Sequence, residues 1–164
     1  MITCKFPNGN PAKLRHVTCD AIVIKDNKIL MVKRSNTAFF EPGKYALPGG
    51  YIDRDEVVSE AVLRELKEET GYLGKIKFLL QINDDPKRTN VEDNQNISFF
   101  YVVDVEEKTG DHDREISEVL WFDFNNLPEN SQIGFDHANA INLYKKYLKR
   151  KFSLPYIGHY LGEK

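Results

Sequence analysis

Cysteine is scarce in this chain of 164 residues: Cys4 and Cys19 are the only two, both near the N-terminus. They cannot form a disulfide framework, and they point to a reducing, cytoplasmic setting. Long apolar runs are missing too. No stretch approaches the roughly 20 residues of a membrane span, and residues 1–10 lack the apolar segment of a secretory signal. Nor does one sign of charge dominate, since 23 Lys and Arg face 25 Asp and Glu for a net charge of -2. The chain as a whole therefore has no attraction for nucleic acid, although a local basic patch is compatible with that balance. Internal repeats, low-complexity tracts and domain-dividing linkers are absent from the sequence as well. What remains suits a folded domain: 41% hydrophobic and 12% aromatic residues can fill one sizeable core. The expected organisation is one domain over 1–150, with an irregular lead-in at 1–15, followed by a C-terminal tail at 151–164. That tail reads as either an ordered extension or a loose end.

Patterning predicts a strand at Val17–Ile24, a turn at Asp26-Asn27 and a second strand at Lys28–Lys33, together a hairpin. Ser35–Gly50 is loop-rich, with Pro42, Gly43, Pro48, Gly49 and Gly50. Val57–Thr70 has neither Gly nor Pro and repeats apolar residues at helical spacing, so it reads as a helix stopped by Gly71. Strands are expected at Lys75–Ile82, Ile97–Val105 and Glu118–Phe122, and a last amphipathic helix over Phe135–Lys149. This irregular alternation favours a mixed α/β sandwich over a doubly wound sheet.

The informative segment is Gly49–Tyr72. At about 100° per residue, Val58, Val62 and Leu66 form an apolar stripe that continues to Glu69, with Glu65 and Glu68 beside it. Carboxylates gathered at an apolar edge repel one another unless positive charge sits among them. Hard divalent cations take oxygen ligands at such spacing, and Arg64, four residues before Glu68, can also hold a carboxylate. A solvated acidic face with i,i+4 pairs to Arg64 and Lys67 is the plain alternative. The Leu47-Pro48-Gly49-Gly50 loop, with tight geometry and exposed backbone oxygens ahead of the helix, argues against it. Glu56 near the helix start can favour the positive end of the helix dipole or brace the loop.

From Gly50 the segment reads G-x5-E-x7-R-E-L-x-E-E-x-G-Y, with Gly50, Glu56, Arg64, Glu65, Leu66, Glu68, Glu69, Gly71 and Tyr72 at the fixed positions. This resembles the signature of the Nudix hydrolases, which cleave nucleoside diphosphates linked to another moiety. Nine positions over 23 residues make a far more specific match than a lone glycine pattern. The departure is Tyr72, where the family usually has an aliphatic residue. Tyr45–Gly50, Trp121-Phe122-Asp123 and Leu127-Pro128 also look Nudix-like, so the resemblance spans roughly residues 15–150. It implies the Nudix fold, an α/β/α sandwich with a mixed sheet. It also implies Mg²⁺ or Mn²⁺ held by Glu65, Glu68 and Glu69 with the backbone oxygen of Gly50, Arg64 orienting the carboxylates. A further carboxylate is expected to take the proton of the attacking water, with Glu115 the first candidate and Glu118 the second.

The resemblance gives the reaction more firmly than the substrate, which is a small nucleotide. Pro86, fifteen residues after Gly71, sits where Nudix enzymes that hydrolyse ADP-ribose often have a proline, and Phe135-Asp136-His137 is similar to a segment in such members. The leading expectation is cleavage of ADP-ribose or a related nucleoside diphosphate sugar to a nucleoside monophosphate and a sugar phosphate. The alternatives are nucleoside triphosphate hydrolysis with pyrophosphate release and, less favoured, a non-catalytic ADP-ribose sensor. Such sensors usually carry a DNA-binding appendage, for which the sequence after Arg150 is too short. Phe39, Phe40 and Tyr45 are candidates to stack on a base, and Arg34 and Arg88 to meet phosphates. His137 reads as a helix-start hydrogen-bonding residue rather than a catalytic group. The resemblance also allows a homodimer.

Overall fold

The computed structural model describes residues 2–88 and 95–158. The rest of the polar stretch between the predicted strands, 89–94, and the last tail residues, 159–164, lie outside the described residues. In chain order the elements are β1 (Ile2–Lys5), β2 (Pro11–Leu14), β3 (Val17–Lys25), β4 (Lys28–Arg34), β5 (Tyr45–Ala46) and β6 (Gly49–Tyr51). Then come α1 (Val58–Thr70), β7 (Tyr72–Asn83), β8 (Ile97–Lys108), β9 (Ile116–Asp123), a 3-10 turn (Asn130–Gln132), α2 (His137–Lys149) and β10 (Tyr156–Ile157).

The main sheet runs β10-β7-β8-β3-β4-β5, with β6 also paired to β3 and β9 to β4. It is mixed: β3 lies parallel to β8 in unbroken register from Val17 on Ile97 to Val23 on Val103, whereas β7 and β8 are antiparallel. Alternation along the strands explains the two buried faces. Cys19, Ala21 and Val23 of β3 and Leu30 of β4 pack with Ala61, Val62 and Leu66 of α1. Ile22, Ile29, Met31, Phe100 and Val102 point the other way and pack with Ala140, Ile141 and Tyr144 of α2. The result is the expected α/β/α sandwich. Asp26 and Asn27, both at positive φ, form the tight turn that joins β3 to β4.

Two stretches depart from the sequence reading. Residues 1–15, expected to be irregular, contain the β1–β2 hairpin, closed by Phe6 N–H to Asn10 O at 2.9 Å with Gly9 at φ +85°. Its alternation is too short and polar to stand out from a loop. Of the two readings of the tail, its described part follows the ordered one: β10 adds in parallel to β7, and Gln81 Nε2 donates to Gly158 O at 2.9 Å. Phe152, Leu154 and Tyr156 pack on the α2 side of the core. Among the described residues no helix is long and apolar enough to cross a membrane.

Candidate active site

Helix α1 stops at Gly71, whose φ of +74° and N–H bond to Lys67 O (2.8 Å) form the left-handed cap. Its inward face carries Ala61, Val62, Leu66, Glu69 and Thr70, so the apolar stripe does deliver Glu69 to the buried edge, at 5% exposure. Glu65 is largely buried and Glu68 half-exposed. Arg64 ties them together with all its N–H groups. Nε and Nη2 fork onto Glu56 (3.0 and 2.6 Å), Nη1 bonds Glu65 (2.8 Å) and Glu68 (3.0 Å), and Nη2 also reaches Tyr51 O at 3.1 Å. Glu56 in turn accepts the Asp53 N–H at 2.8 Å, bracing the loop ahead of the helix.

Strand β6 brings Gly50 opposite Cys19 and Gly49 opposite Asp20 on β3. The Gly49 N–H donates to Glu69 Oε2 at 2.9 Å. A Cβ on Gly50 would fall 2.5 Å from the Glu65 carboxylate, so glycine is what lets this backbone reach the helix carboxylates. Burial pushes the Glu69 carboxyl well above the usual carboxylate range, against the opposing pull of the Gly49 N–H. Burial also raises Glu65, partly offset by Arg64, while the Arg64 fork lowers Glu56.

This donor set fits a hard divalent cation: oxygen ligands only, one of them the buried Glu69 carboxylate, which forms no ion pair among the described residues. Among the described residues, no three carboxylate, imidazole or thiolate groups already converge as a metal cage. Arg64 instead clamps two of the three predicted ligands.

The carboxylates line a cleft of about 690 Å³, which is in the range that encloses a small-molecule ligand. Arg34, Phe39, Phe40, Arg88 and Glu115 line it as well. Phe39 is 88% exposed and stands edge-on to Phe40, with ring centroids 4.7 Å apart. Arg34 donates to Phe40 O at 2.8 Å and lies 5.6 Å over the Phe135 ring.

Tyr45 is a correction: partly buried, it packs edge-on against Phe122 at 5.0 Å and against the core, and it does not line the cleft. Arg88 is a partial one. It lines the cleft, but its Nε (3.0 Å) and Nη2 bind Asp136, both side chains almost fully buried, so its charge is already neutralised. Glu118 does not line the cleft and instead pairs with Lys33 at 2.7 Å.

His137 behaves as a helix-start hydrogen-bonding residue, its Nδ1 accepting the Leu47 N–H at 2.9 Å. Sequence reasoning missed three acidic wall residues, Asp20, Asp53 and Asp113. Asp20 had left a signal, as the one charged residue in Val17–Ile24. Asp113 sits in a polar loop and left none.

A carboxylate-lined cleft over a helix with an Arg clamp, set in an α/β/α sandwich, defines a class of hydrolase that acts on phosphoanhydride bonds. The chain belongs to the NUDIX family, whose NUDIX domain model matches residues 14–144. It is 42% identical over 134 residues to an ADP-ribose pyrophosphatase of Methanocaldococcus jannaschii, covering 80% of this chain and 73% of that protein. Its fold is similar to the crystal structure of an ADP-ribose pyrophosphatase from Streptococcus suis, with TM-score 0.71 and 21% identity, covering 89% of this chain and 100% of that one. It is also similar to a bifunctional NMN adenylyltransferase/ADP ribose pyrophosphatase of Francisella tularensis complexed with AMP and a Mn ion. There the TM-score is 0.61 and the identity 24%, covering 86% of this chain and 43% of that one.

Proposed function

We propose that this chain is a Mg²⁺-dependent hydrolase that cleaves the pyrophosphate bond of ADP-ribose or a related nucleoside diphosphate sugar. The observation that carries the reading is a cleft lined by Glu65, Glu68 and Glu69, two of them clamped by Arg64 together with Glu56, with the Phe39–Phe40 pair in its wall. The name borne by the 42%-identical relative supports the choice of substrate.

Nudix hydrolases generally depend on a divalent metal. Glu65, Glu68, Glu69 and the backbone oxygen of Gly50 would hold Mg²⁺, or Mn²⁺ in its place. Bound there, the ion supplies neutralisation of the pyrophosphate charge, polarisation of phosphoryl oxygens and acidification of water. The chain's own residues do the rest. Arg64 keeps the carboxylates in register, and Glu56 fixes the loop that leads into the helix. Glu115 takes a proton from the water as it attacks one phosphorus and the bridging P–O bond breaks, releasing a nucleoside monophosphate and a sugar phosphate. Phe39 and Phe40 offer faces and edges to a base, and Arg34 offers charge to a phosphate. A cytoplasmic location belongs to this reading and rests on two free thiols, one of them fully buried.

The test is a Mg²⁺-dependent hydrolysis panel with product identification: ADP-ribose, a nucleotide sugar, a diadenosine polyphosphate, dGTP and 8-oxo-dGTP. Fastest turnover of ADP-ribose to AMP and ribose phosphate is expected. Preferential pyrophosphate release from a triphosphate would overturn the substrate while leaving the carboxylate chemistry in place.

A further inference from the structure

The loop that presents Gly49 and Gly50 to the helix carboxylates is held from a distant element. His137, the first residue of α2, is 4% exposed and lies ninety residues from Leu47 in sequence. A backbone N–H can only donate, so the 2.9 Å bond from Leu47 makes His137 Nδ1 the acceptor. The proton of the neutral ring then sits on Nε2, which faces Asp20 Oδ1 at 3.2 Å. Asp20 pairs with Gly49 across β3 and β6, and its neighbour Ala21 donates to Pro48 O at 2.8 Å. The imidazole therefore links the Leu47 backbone, just ahead of the Pro48-Gly49 bend, to Asp20 on β3, the strand that pairs with β6 just past the bend. Two residues past Leu47, the Gly49 N–H reaches Glu69, and one further on Gly50 abuts Glu65.

We infer that His137 is a positioning residue for the metal-binding carboxylates, acting through the Leu47–Gly50 backbone rather than by touching substrate. The inference rests on the proposed reading of those carboxylates as the metal site. A second observation separates this role from simple packing. The two ring nitrogens have different tasks, and only the Nδ1 bond fixes the loop. The two amide variants divide those tasks. His137→Asn places an oxygen near the Nδ1 position and keeps an acceptor for Leu47. His137→Gln places its amide near the Nε2 position, serves Asp20 and leaves the Leu47 N–H unpaired.

The experiment titrates Mn²⁺ into the full-length native chain and both variants, read by the ion's magnetic resonance signal, and measures kcat and KM for ADP-ribose. Thermal melts fix the folded fraction. His137→Asn should bind Mn²⁺ within about 2-fold of native. His137→Gln should bind about 10-fold more weakly, with a matching loss in kcat and an unchanged KM. Native Mn²⁺ affinity in folded His137→Gln would overturn the inference, as would equal losses in both variants that follow their melting temperatures. Should His137→Gln fail to fold, His137→Ala, which removes both ring nitrogens, takes its place and must weaken Mn²⁺ binding where His137→Asn does not; native affinity in it overturns the role. Glu69→Gln separates the two failures. If it abolishes Mn²⁺ binding while His137→Gln does not disturb it, only the positioning role falls. If the native chain binds no Mn²⁺, the reading of the site falls with it.

Discussion

Replacing Arg64 with lysine retains the charge and removes the geometry, which makes it a sharp test of the carboxylate clamp. Arg64 makes five hydrogen bonds, to Glu56 twice, Glu65, Glu68 and Tyr51 O. An ammonium group has three donors and no planar fork, so at least two bonds must go. The half-exposed Glu68 link is an i,i+4 pair worth only about 0.3–0.5 kcal/mol. The bonds to Glu56 and Glu65 matter more, since both side chains are 15% exposed. Losing two charge-assisted bonds, taken at the low end of about 1.5 kcal/mol each and reduced for partial solvation, costs about 2 kcal/mol. For a chain of this size that lowers Tm by roughly 4–8 °C in calorimetry. Loosened carboxylates should also lower Mg²⁺-dependent kcat by about 10–100-fold. Arg64→Lys with native Tm and native kcat would refute the argument, because any cation at this position would then serve.

Three further outcomes follow from the same geometry. Burial holds Glu69 protonated to a higher pH than in the unfolded chain, so the metal-free fold binds the extra proton and loses stability as pH rises through that window. Glu69→Gln should flatten this slope and raise the metal-free Tm at pH 8, while turnover collapses; an unaltered pH slope would sink the assignment of the buried charge. Glu115→Gln should lower kcat about 10²–10⁴-fold and Glu118→Gln should leave it near native, and the reverse pattern in steady-state kinetics would move the proton acceptor to β9. Asp136→Asn removes the buried negative charge and one of the two oxygens that hold Arg88 and Asn83 and should cost about 3–5 kcal/mol; a melt unchanged from native would show that the pair contributes nothing.

The sequence alone determined the local features whose physics is local. Helical spacing placed Glu69 on the apolar stripe of α1, and a glycine at positive φ ended the helix at residue 71. The i,i+4 offset foretold the Arg64–Glu68 bond, and the irregular alternation of strands and helices foretold a mixed α/β sandwich. Contacts between residues far apart in the chain carried no such mark. Only tertiary packing turned Tyr45 onto Phe122, paired Arg88 with Asp136 and set His137 against Leu47, because each choice depends on which surfaces meet across the sheet. Glu115 and Glu118 differ for the same reason. Strand pairing sets Glu118 beside Lys33 on β4, while Glu115, just before the strand begins, stays at the cleft. Spacing along a chain fixes what neighbours in a helix or strand do, and folding decides which distant groups share a cleft.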